Sequence, residues 1–343
     1  MGIPDTLQVL FPSLFTQAKD ERTAYLLLIA AAIGIATISS YVTSFGRVLF
    51  DLARPGQSLS KYGAKKGAWA VVTGCTSGIG REFALQLSKA GFKLLLVSRD
   101  ENALKQLQTQ LSAESRTVKI DFANPGASAY QDLKSAVDGL DGPVGVLVNN
   151  VGVSHSMPVD FHECPESEME NVVEINVLAT MRVTKIVLPS MLSAKKGLIL
   201  NIGSFAALTS SPMLAPYAGS KNFLYAWSQA LGGEYAKKGI NVQLLNTFFV
   251  VSNLSKIRKS NWMTPTPKAY VKSALSHIGL QCGAVGHPYV STPYWSHAII
   301  QWLVDHVGTE WFWMNYTHKM HIDIRKRALR KQERERKALD KKE

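Results

Sequence analysis

The sequence predicts an α/β fold built on a doubly wound parallel sheet, and three observations carry that expectation. From Ala68 onward, short apolar runs alternate with amphipathic stretches, the pattern of strands covered on both faces by helices. The first run ends in a glycine-rich turn, "TGCTSGIG" at 73–80, where a strand passes into a helix. The chain is long enough, at 343 residues with 46% hydrophobic and 19% charged, to bury a large core and is not composed like a disordered one. No internal repeat at a solenoid period is present.

Taken from the N-terminus, a segment 1–22 precedes the uncharged stretch "AYLLLIAAAIGIATISSYV" at 24–42, which runs 19 residues and is long enough to cross a bilayer as a helix. A signal peptide would have a basic leader, whereas the residues before this stretch carry a net charge of −1. A core helix remains open, although apolar and small residues surround this one on all sides. The expected architecture therefore starts with a transmembrane helix at 23–45, followed by a basic linker at 46–66. Between Arg47 and Lys66 lie five basic residues and one acid, so the positive-inside rule puts everything downstream in the cytosol. Cys75, Cys164 and Cys282 are scattered, without C-x-x-C or metal-like spacing. That fits a reducing compartment, and no metal is expected.

Residues 67–252 hold the alternating pattern. "AWAVVTG" is the first strand and "REFALQLSKAG" the helix after the glycine turn; "FKLLLVSR" is the second strand and "ENALKQLQTQLSA" its helix. "TVKIDF", "VGVLVNN", "GLILNIGS" and "INVQLLNTFFV" are the later strands. Residues 253–316 form an expected substrate-binding or membrane-proximal region. Within it, 273–304 contains no Asp, Glu, Lys or Arg, and Pro288 and Pro293 preclude a straight spanning helix. "SHAIIQWLVDHVGTEWFWMNY" reads as one Trp-rich amphipathic helix, either packed on the sheet or lying in a membrane interface. The tail 317–343 is a helical, basic extension: 11 Lys/Arg against 5 Asp/Glu from His318 onward account for half of the net charge of +12. It suits an anionic membrane face or nucleic acid, or is simply a solvated helix of mixed charge.

Chemistry enters at the glycine turn. Gly74 permits the tight turn, Gly78 lets backbone approach a pyrophosphate beside Ser77 and Ile79, and Gly80 allows close helix-to-strand packing. The helix N-terminus then offers free N–H groups to phosphate, the arrangement of a Rossmann-type dinucleotide site. The spacing is G-x-x-x-G-x-G rather than G-x-G-x-x-G. At the end of the second strand stand Ser98 and Arg99 instead of an acid, so the 2′-phosphate of NADP fits better than the free ribose of NAD. Asp100 is placed to cap the next helix. Tyr217 and Lys221, four residues apart, share one helix face, but with 11 tyrosines about one such pair arises by chance.

The order of motifs removes that objection. "TGCTSGIG", Asp121 after the third strand, "NNVG" at 149–152, Asn176 in "INV", Ser204 in "GSF" and "YAGSK" at 217–221 together resemble the short-chain dehydrogenase/reductase family, from about Trp69 to Leu254. Ser204 stands 13 residues before Tyr217, a separation typical of that family. The sequence departs from it at Val151, usually alanine, and at "NTFFVVS", which lacks the usual Pro-Gly. "KYGAKKGAWAVVTG", "VGVSHSMPV", "SKIRKS" and the apolar N-terminal stretch are similar to the membrane-bound very-long-chain 3-oxoacyl-CoA reductases, the fungal ones especially. A steroid 17-ketoreductase-like branch shares anchor and fold.

This resemblance implies NADPH-dependent reduction of 3-oxoacyl-CoA in each round of microsomal fatty acid elongation. It implies a single-pass protein of the endoplasmic reticulum membrane with a cytosolic catalytic domain, in contact with membrane lipid and not with nucleic acid. Its implied partners are an elongase condensing enzyme, a 3-hydroxyacyl-CoA dehydratase and an enoyl reductase. The alternatives are a reductase of steroid 17-ketones or 3-ketosphinganine, and a non-catalytic NADPH-binding scaffold; the second has no need of a proton donor. A ketone accepting hydride develops negative charge on oxygen and must receive a proton. A free tyrosine, with a pKa near ~10, is poor at this, and an ammonium one turn away is expected to lower it. Tyr217 is the expected donor. Lys221 tunes it and, by resemblance, holds the nicotinamide ribose. Ser204 bonds the substrate oxygen, and Asn176 positions a water relaying protons to Lys221. The same resemblance puts Asp121 by the adenine, Asn149 by its ribose, and Val250 with Ser252 near the nicotinamide. His155, a lone loop histidine near the site mouth, is expected to be structural.

Overall fold

In the computed structural model of the chain, which describes Pro12 and residues 21–340, the uncharged stretch forms most of helix α1, Glu21–Ala53. None of its most apolar window is buried against protein. Seven strands follow: β1 Trp69–Thr73, β2 Lys93–Ser98, β3 Ser115–Lys119, β4 Val144–Asn149, β5 Gly197–Ile202, β6 Ile240–Leu245 and β7 Val290–Ser291. They make one parallel sheet in the order β3-β2-β1-β4-β5-β6-β7. Strands β1, β4 and β5 are buried at every position, as continuous apolar runs at the centre of a doubly covered sheet should be. β3, "SRTVK", is mostly exposed, which suits an edge. Chain order reverses between β1 and β4, and a crevice opens beyond their carboxyl ends.

Two helical layers cover the sheet: α2 Gly78–Ala90, α3 Glu101–Gln108, α4 Ala129–Asp138, α5 Glu166–Val173, α6 Ala179–Ser193, α7 Ala215–Tyr235 and α8 Pro267–Ser276. Alternate residues of β2 point to opposite faces. Leu94 and Leu96 join Phe83, Leu87 and Tyr270 in one core, while Leu95 and Val97 join Val183 and Val187 in the other. Asp100 does cap α3, accepting from the Ala103 N–H at 2.9 Å, but α3 stops at Gln108, short of the expected helix. The two-residue β7 has no apolar run to announce it.

Larger differences lie at the two ends. The expected Trp-rich helix is two helices, α9 Trp295–His306 and α10 Glu310–Leu339. Gly308, at φ +82°, makes a left-handed break that glycine alone adopts freely, and Thr309 accepts from Phe312 N–H at 3.2 Å to restart the helix. The expected basic tail is thus the continuation of α10, and its first half belongs to the folded body. Thr317 Oγ1 donates to Ser210 O at 3.1 Å, His321 Nδ1 bonds Pro212 O at 2.7 Å, and Arg325 pairs with Glu163 at 2.5 Å. The remaining basic half is exposed.

Nor is 46–66 a free linker. α1 runs on to Ala53, and its buried Asp51 pairs with Arg47 at 3.3 Å and Arg54 at 2.8 Å while accepting from Cys282 N–H at 3.4 Å. Gly56 and Gln57 then donate backbone bonds to Ser276 O and Ile278 O, both at 2.7 Å. The apolar helix is fused to the domain, and two of the expected cytosolic cations are committed to a carboxylate that could not be buried without them. Most of the expected N-terminal segment 1–22 lies outside the described residues.

Candidate active site

A cavity of about 690 Å³ fills the crevice beyond β1 and β4 and extends under α9 and α10. One end is the glycine turn. Gly74 and Gly78 take φ +61° and +55°, and α2 begins at Gly78 with no side-chain cap from Ser77. Its first N–H groups therefore remain available to an anion. Gly74, Ser77, Gly78 and Ile79 line this end. Gly80 does not; a Cβ there would come within 2.3 Å of both Gly74 O and Asn150 Nδ2. Its role is to let α2 close on the turn, as its spacing implied, and not to touch a ligand.

Ser98, Arg99, Asp121, Val250 and Ser252 line the same cavity. Ser98 Oγ meets Thr76 Oγ1 at 3.0 Å, and Arg99 is exposed at the rim, a position from which a cation reaches a 2′-phosphate. Arg99→Ala is expected to raise the KM for NADPH by about 10–100-fold, the worth of one charge-assisted contact of roughly 1.5–3 kcal/mol, and to leave the KM for NADH nearly unchanged. Equal effects on both cofactors in steady-state assays would contradict the assignment.

Asn149 departs from expectation. Its side chain is buried away from the cavity and donates to Thr184 Oγ1 at 2.9 Å and Asn201 Oδ1 at 2.8 Å. The neighbouring Asn150 lines the cavity instead, donating to Thr73 O at 3.1 Å and Gly74 O at 3.0 Å. Strand periodicity holds the discriminating signal, because successive side chains of "NN" leave β4 on opposite sides.

Tyr217 and Lys221 sit on the first turns of α7, with Nζ 5.9 Å from the phenol ring centroid. Lys221 is buried and donates to Ile202 O at 2.9 Å. Burial pushes its pKa down to about 8. The Tyr217 pKa is raised, not lowered: burial dominates, and a hydrogen bond with Ser204 offsets part of it. The expected lowering of the Tyr217 pKa is not found: burial outweighs it, and the Lys221 ammonium is directed at a backbone carbonyl. Tyr217 therefore keeps its proton at neutral pH, the state in which it can donate. Ser204, past the end of β5, also accepts from Ala206 N–H at 3.2 Å.

Asn176 lies in a π-helical turn, Glu174–Leu178, between α5 and α6, the kind of bulge that often marks functional sites. Its Oδ1 accepts from Val153 N–H at 2.8 Å, and its Nδ2 donates to Val153 O at 3.0 Å and Ser220 Oγ at 2.9 Å. The side chain thus ties the loop after β4 to α7. Gly152 packs beside both it and the lysine: a Cβ there would lie 3.3 Å from Asn176 Oδ1, a tight contact, and 3.6 Å from Lys221 Nζ.

His155 Nδ1 lies 3.5 Å from Cys164 Sγ and 3.4 Å from Glu168 Oε2, a cluster with metal-like closeness that spacing did not reveal. The far end of the cavity is walled by Ile300 and Leu303 of α9 and by Trp313 and Tyr316 of α10, all within the region 253–316 expected to bind substrate, and by Met320 and Ile324 of α10, which fall in the expected basic tail. Residues read as part of a solvated tail give no reason to expect the last two as lining side chains.

One wall of this cavity suits the phosphates of a dinucleotide, and the other presents a protonated phenol beside a buried lysine. Exchange of hydride between a nicotinamide and a carbonyl carbon needs both, so fold and site define an oxidoreductase of the nicotinamide-dependent class. The chain belongs to the short chain dehydrogenase family, whose profile matches residues 68–261. It is 54% identical to a very-long-chain 3-oxoacyl-CoA reductase of Coprinopsis cinerea over 85% of this chain and 87% of that one. Against the enzyme of the same name from Laccaria bicolor it is 51% identical, over 94% and 96% of the two chains. Among solved structures, a 7beta-hydroxysteroid dehydrogenase shares the fold at TM-score 0.63 with 19% identity, over 73% of this chain and 96% of that one. A short-chain dehydrogenase from Sphingobium yanoikuyae in complex with NADPH does so at TM-score 0.56 with 22% identity, over 66% and 87%.

Proposed function

We propose that the protein reduces very-long-chain 3-oxoacyl-CoA to 3-hydroxyacyl-CoA with NADPH, the second step of a fatty acid elongation cycle, while anchored by α1 in the endoplasmic reticulum membrane with its catalytic domain in the cytosol. The observation that carries this is a single cavity with a dinucleotide cradle at one end, Tyr217 and Lys221 in its wall, and an apolar far end suited to an acyl chain. Residues 67–252 serve the cofactor, and α9 with the first half of α10 the acyl substrate. Because the substrate must come from a condensation and the product must next lose water, an elongase condensing enzyme, a 3-hydroxyacyl-CoA dehydratase and an enoyl reductase are the proposed partners.

NADPH held at the glycine turn and Arg99 would supply the hydride. Tyr217 then gives its proton to the developing alkoxide, and Ser204 holds that oxygen by a hydrogen bond. Lys221, an ammonium below about pH 8, stabilises the phenolate left behind and supports the cofactor ribose. Asn176 positions the loop and helix that carry these groups. Asp121 at the rim faces the adenine end, and Val250 with Ser252 faces the nicotinamide end.

Because burial puts the Lys221 pKa near 8 and Tyr217 above its ordinary value, kcat/KM for reduction should fall as pH rises through about 8. At that pH Lys221 loses its proton while Tyr217 keeps its own. A pH profile that stays flat well above that value would contradict the role given to Lys221. To test the substrate, NADPH oxidation by membranes bearing the protein is compared with a very-long-chain 3-oxoacyl-CoA and with a 17-ketosteroid. Turnover of the acyl-CoA is expected; turnover of the steroid alone would overturn the assignment.

A further inference from the structure

We infer that the elbow between α9 and α10 is a second membrane-contacting surface, and that the acyl chain enters the cavity sideways from the bilayer between these two helices. The inference rests on the anchor and substrate proposed above and adds the route that joins them.

The argument begins with depth. The uncharged stretch 24–42 is about 28 Å long as a helix, which matches a hydrocarbon core of about 30 Å. Its cytosolic end is therefore near Tyr41. There α1 is packed directly on α9. Phe45 and Trp302 rings lie 4.9 Å apart and Tyr41 and His306 rings 5.6 Å apart. Ser44 Oγ accepts from Trp302 Nε1 at 3.0 Å and meets His306 Nε2 at 3.1 Å. The carboxyl end of α9 is thereby fixed at the level of the headgroups, with no slack chain between span and domain.

Chemistry at that level agrees. Just beyond His306 the chain turns at Gly308, and Trp313 Nε1 pins the turn by donating to Val307 O at 2.7 Å. The first turn of α10 then presents Trp311 and Phe312 to the outside, 70% and 51% exposed. Large aromatic side chains left bare beside a membrane span are the residues that favour the bilayer interface.

The same helices form the cavity wall. On α9, Trp302 and His306 face the anchor while Ile300, Leu303 and Val304 line the cavity, so one helix separates lipid from site. Leu303 and Tyr316 line the cavity and are also 38% and 57% exposed, so both side chains face the cavity and the outside, and the proposed entry lies at them. An acyl chain entering there leaves its tail in lipid and never crosses water.

The test uses the full chain in phosphatidylcholine vesicles with a nitrobenzoxadiazole label at Phe312→Cys, in a Cys164→Ser background because Cys75 and Cys282 are buried. A label at Lys105→Cys on exposed α3 is the control. Lipids bearing a nitroxide high on the acyl chain should remove most of the emission at 312 and little at 105; equal, weak quenching at both would overturn the inference. In the same vesicles, Trp311→Glu with Phe312→Glu should raise the KM for a very-long-chain 3-oxoacyl-CoA by about tenfold or more through loss of the interfacial aromatics. For 3-oxobutanoyl-CoA, which is water-soluble, kcat/KM should change by less than about twofold, since it has no need of the lipid route. Equal losses on both substrates would overturn the route. If the unsubstituted protein reduces neither substrate, the proposed function fails, and the quenching comparison alone still decides the surface.

Discussion

Tyr217→Phe should lower kcat for 3-oxoacyl-CoA reduction by about 10³-fold, within the 10²–10⁴ that a positioned general acid contributes. The substitution removes one hydroxyl and leaves the ring in place. Its structural cost is small, because the phenol's hydrogen bond is to Ser204, which also accepts from Ala206 N–H. NADPH affinity, measured by fluorescence titration, should change little, since the glycine turn and Arg99 are untouched. A loss of kcat with intact cofactor binding marks an interaction made mainly in the transition state. Unchanged turnover would remove Tyr217 from the mechanism.

Gly80→Ala should destabilise the protein by about 3 kcal/mol, although alanine in a helix normally gains about 1 kcal/mol over glycine. The gain is outweighed because the new methyl would sit 2.3 Å from Gly74 O, a backbone atom, and from Asn150 Nδ2. Relieving that contact means lifting α2 off the turn, an overpacking cost of about 1–3 kcal/mol, and breaking the Asn150 bonds to Thr73 O and Gly74 O, about 1 kcal/mol each. The phosphate cradle goes with it, so the KM for NADPH should rise at least about tenfold. Gly219→Ala is the control: nothing lies within 4 Å of its Cβ position, and helix propensity alone should stabilise it by up to about 1 kcal/mol. Thermal unfolding of the two variants in detergent gives the comparison. If Gly80→Ala were as stable as Gly219→Ala, the close approach would not matter.

The sheet was legible because its central strands are predominantly apolar and its first turn carries glycines at positive φ. Tyr217, Lys221 and Ser204 were legible as neighbours from helix spacing and motif order. Their electrostatics were not, since the direction of the Lys221 ammonium toward Ile202 O depends on a carbonyl from a distant strand. Asn149 was misplaced by one residue for want of the strand's phase. The role of α10 beyond residue 316 was hidden by composition: its basic second half dominates the sequence signal, whereas Met320 and Ile324, which wall the cavity, lie in the first half. The docking of α1 was equally hidden, because Arg47 and Arg54 read as free cytosolic charge until Asp51 is found buried between them.

The central claim is that this cavity delivers one hydride to C3 of a 3-oxoacyl-CoA and one proton from Tyr217 to its oxygen. It is tested most directly by supplying the full chain, reconstituted in vesicles, with NADPH deuterated at C4 of the nicotinamide and a very-long-chain 3-oxoacyl-CoA. Mass spectrometry should show a 3-hydroxyacyl-CoA carrying a single deuterium at C3, formed in step with NADPH consumption and nearly absent with Tyr217→Phe. NADPH consumed without that labelled product, or the product formed undiminished by the variant, would contradict the account.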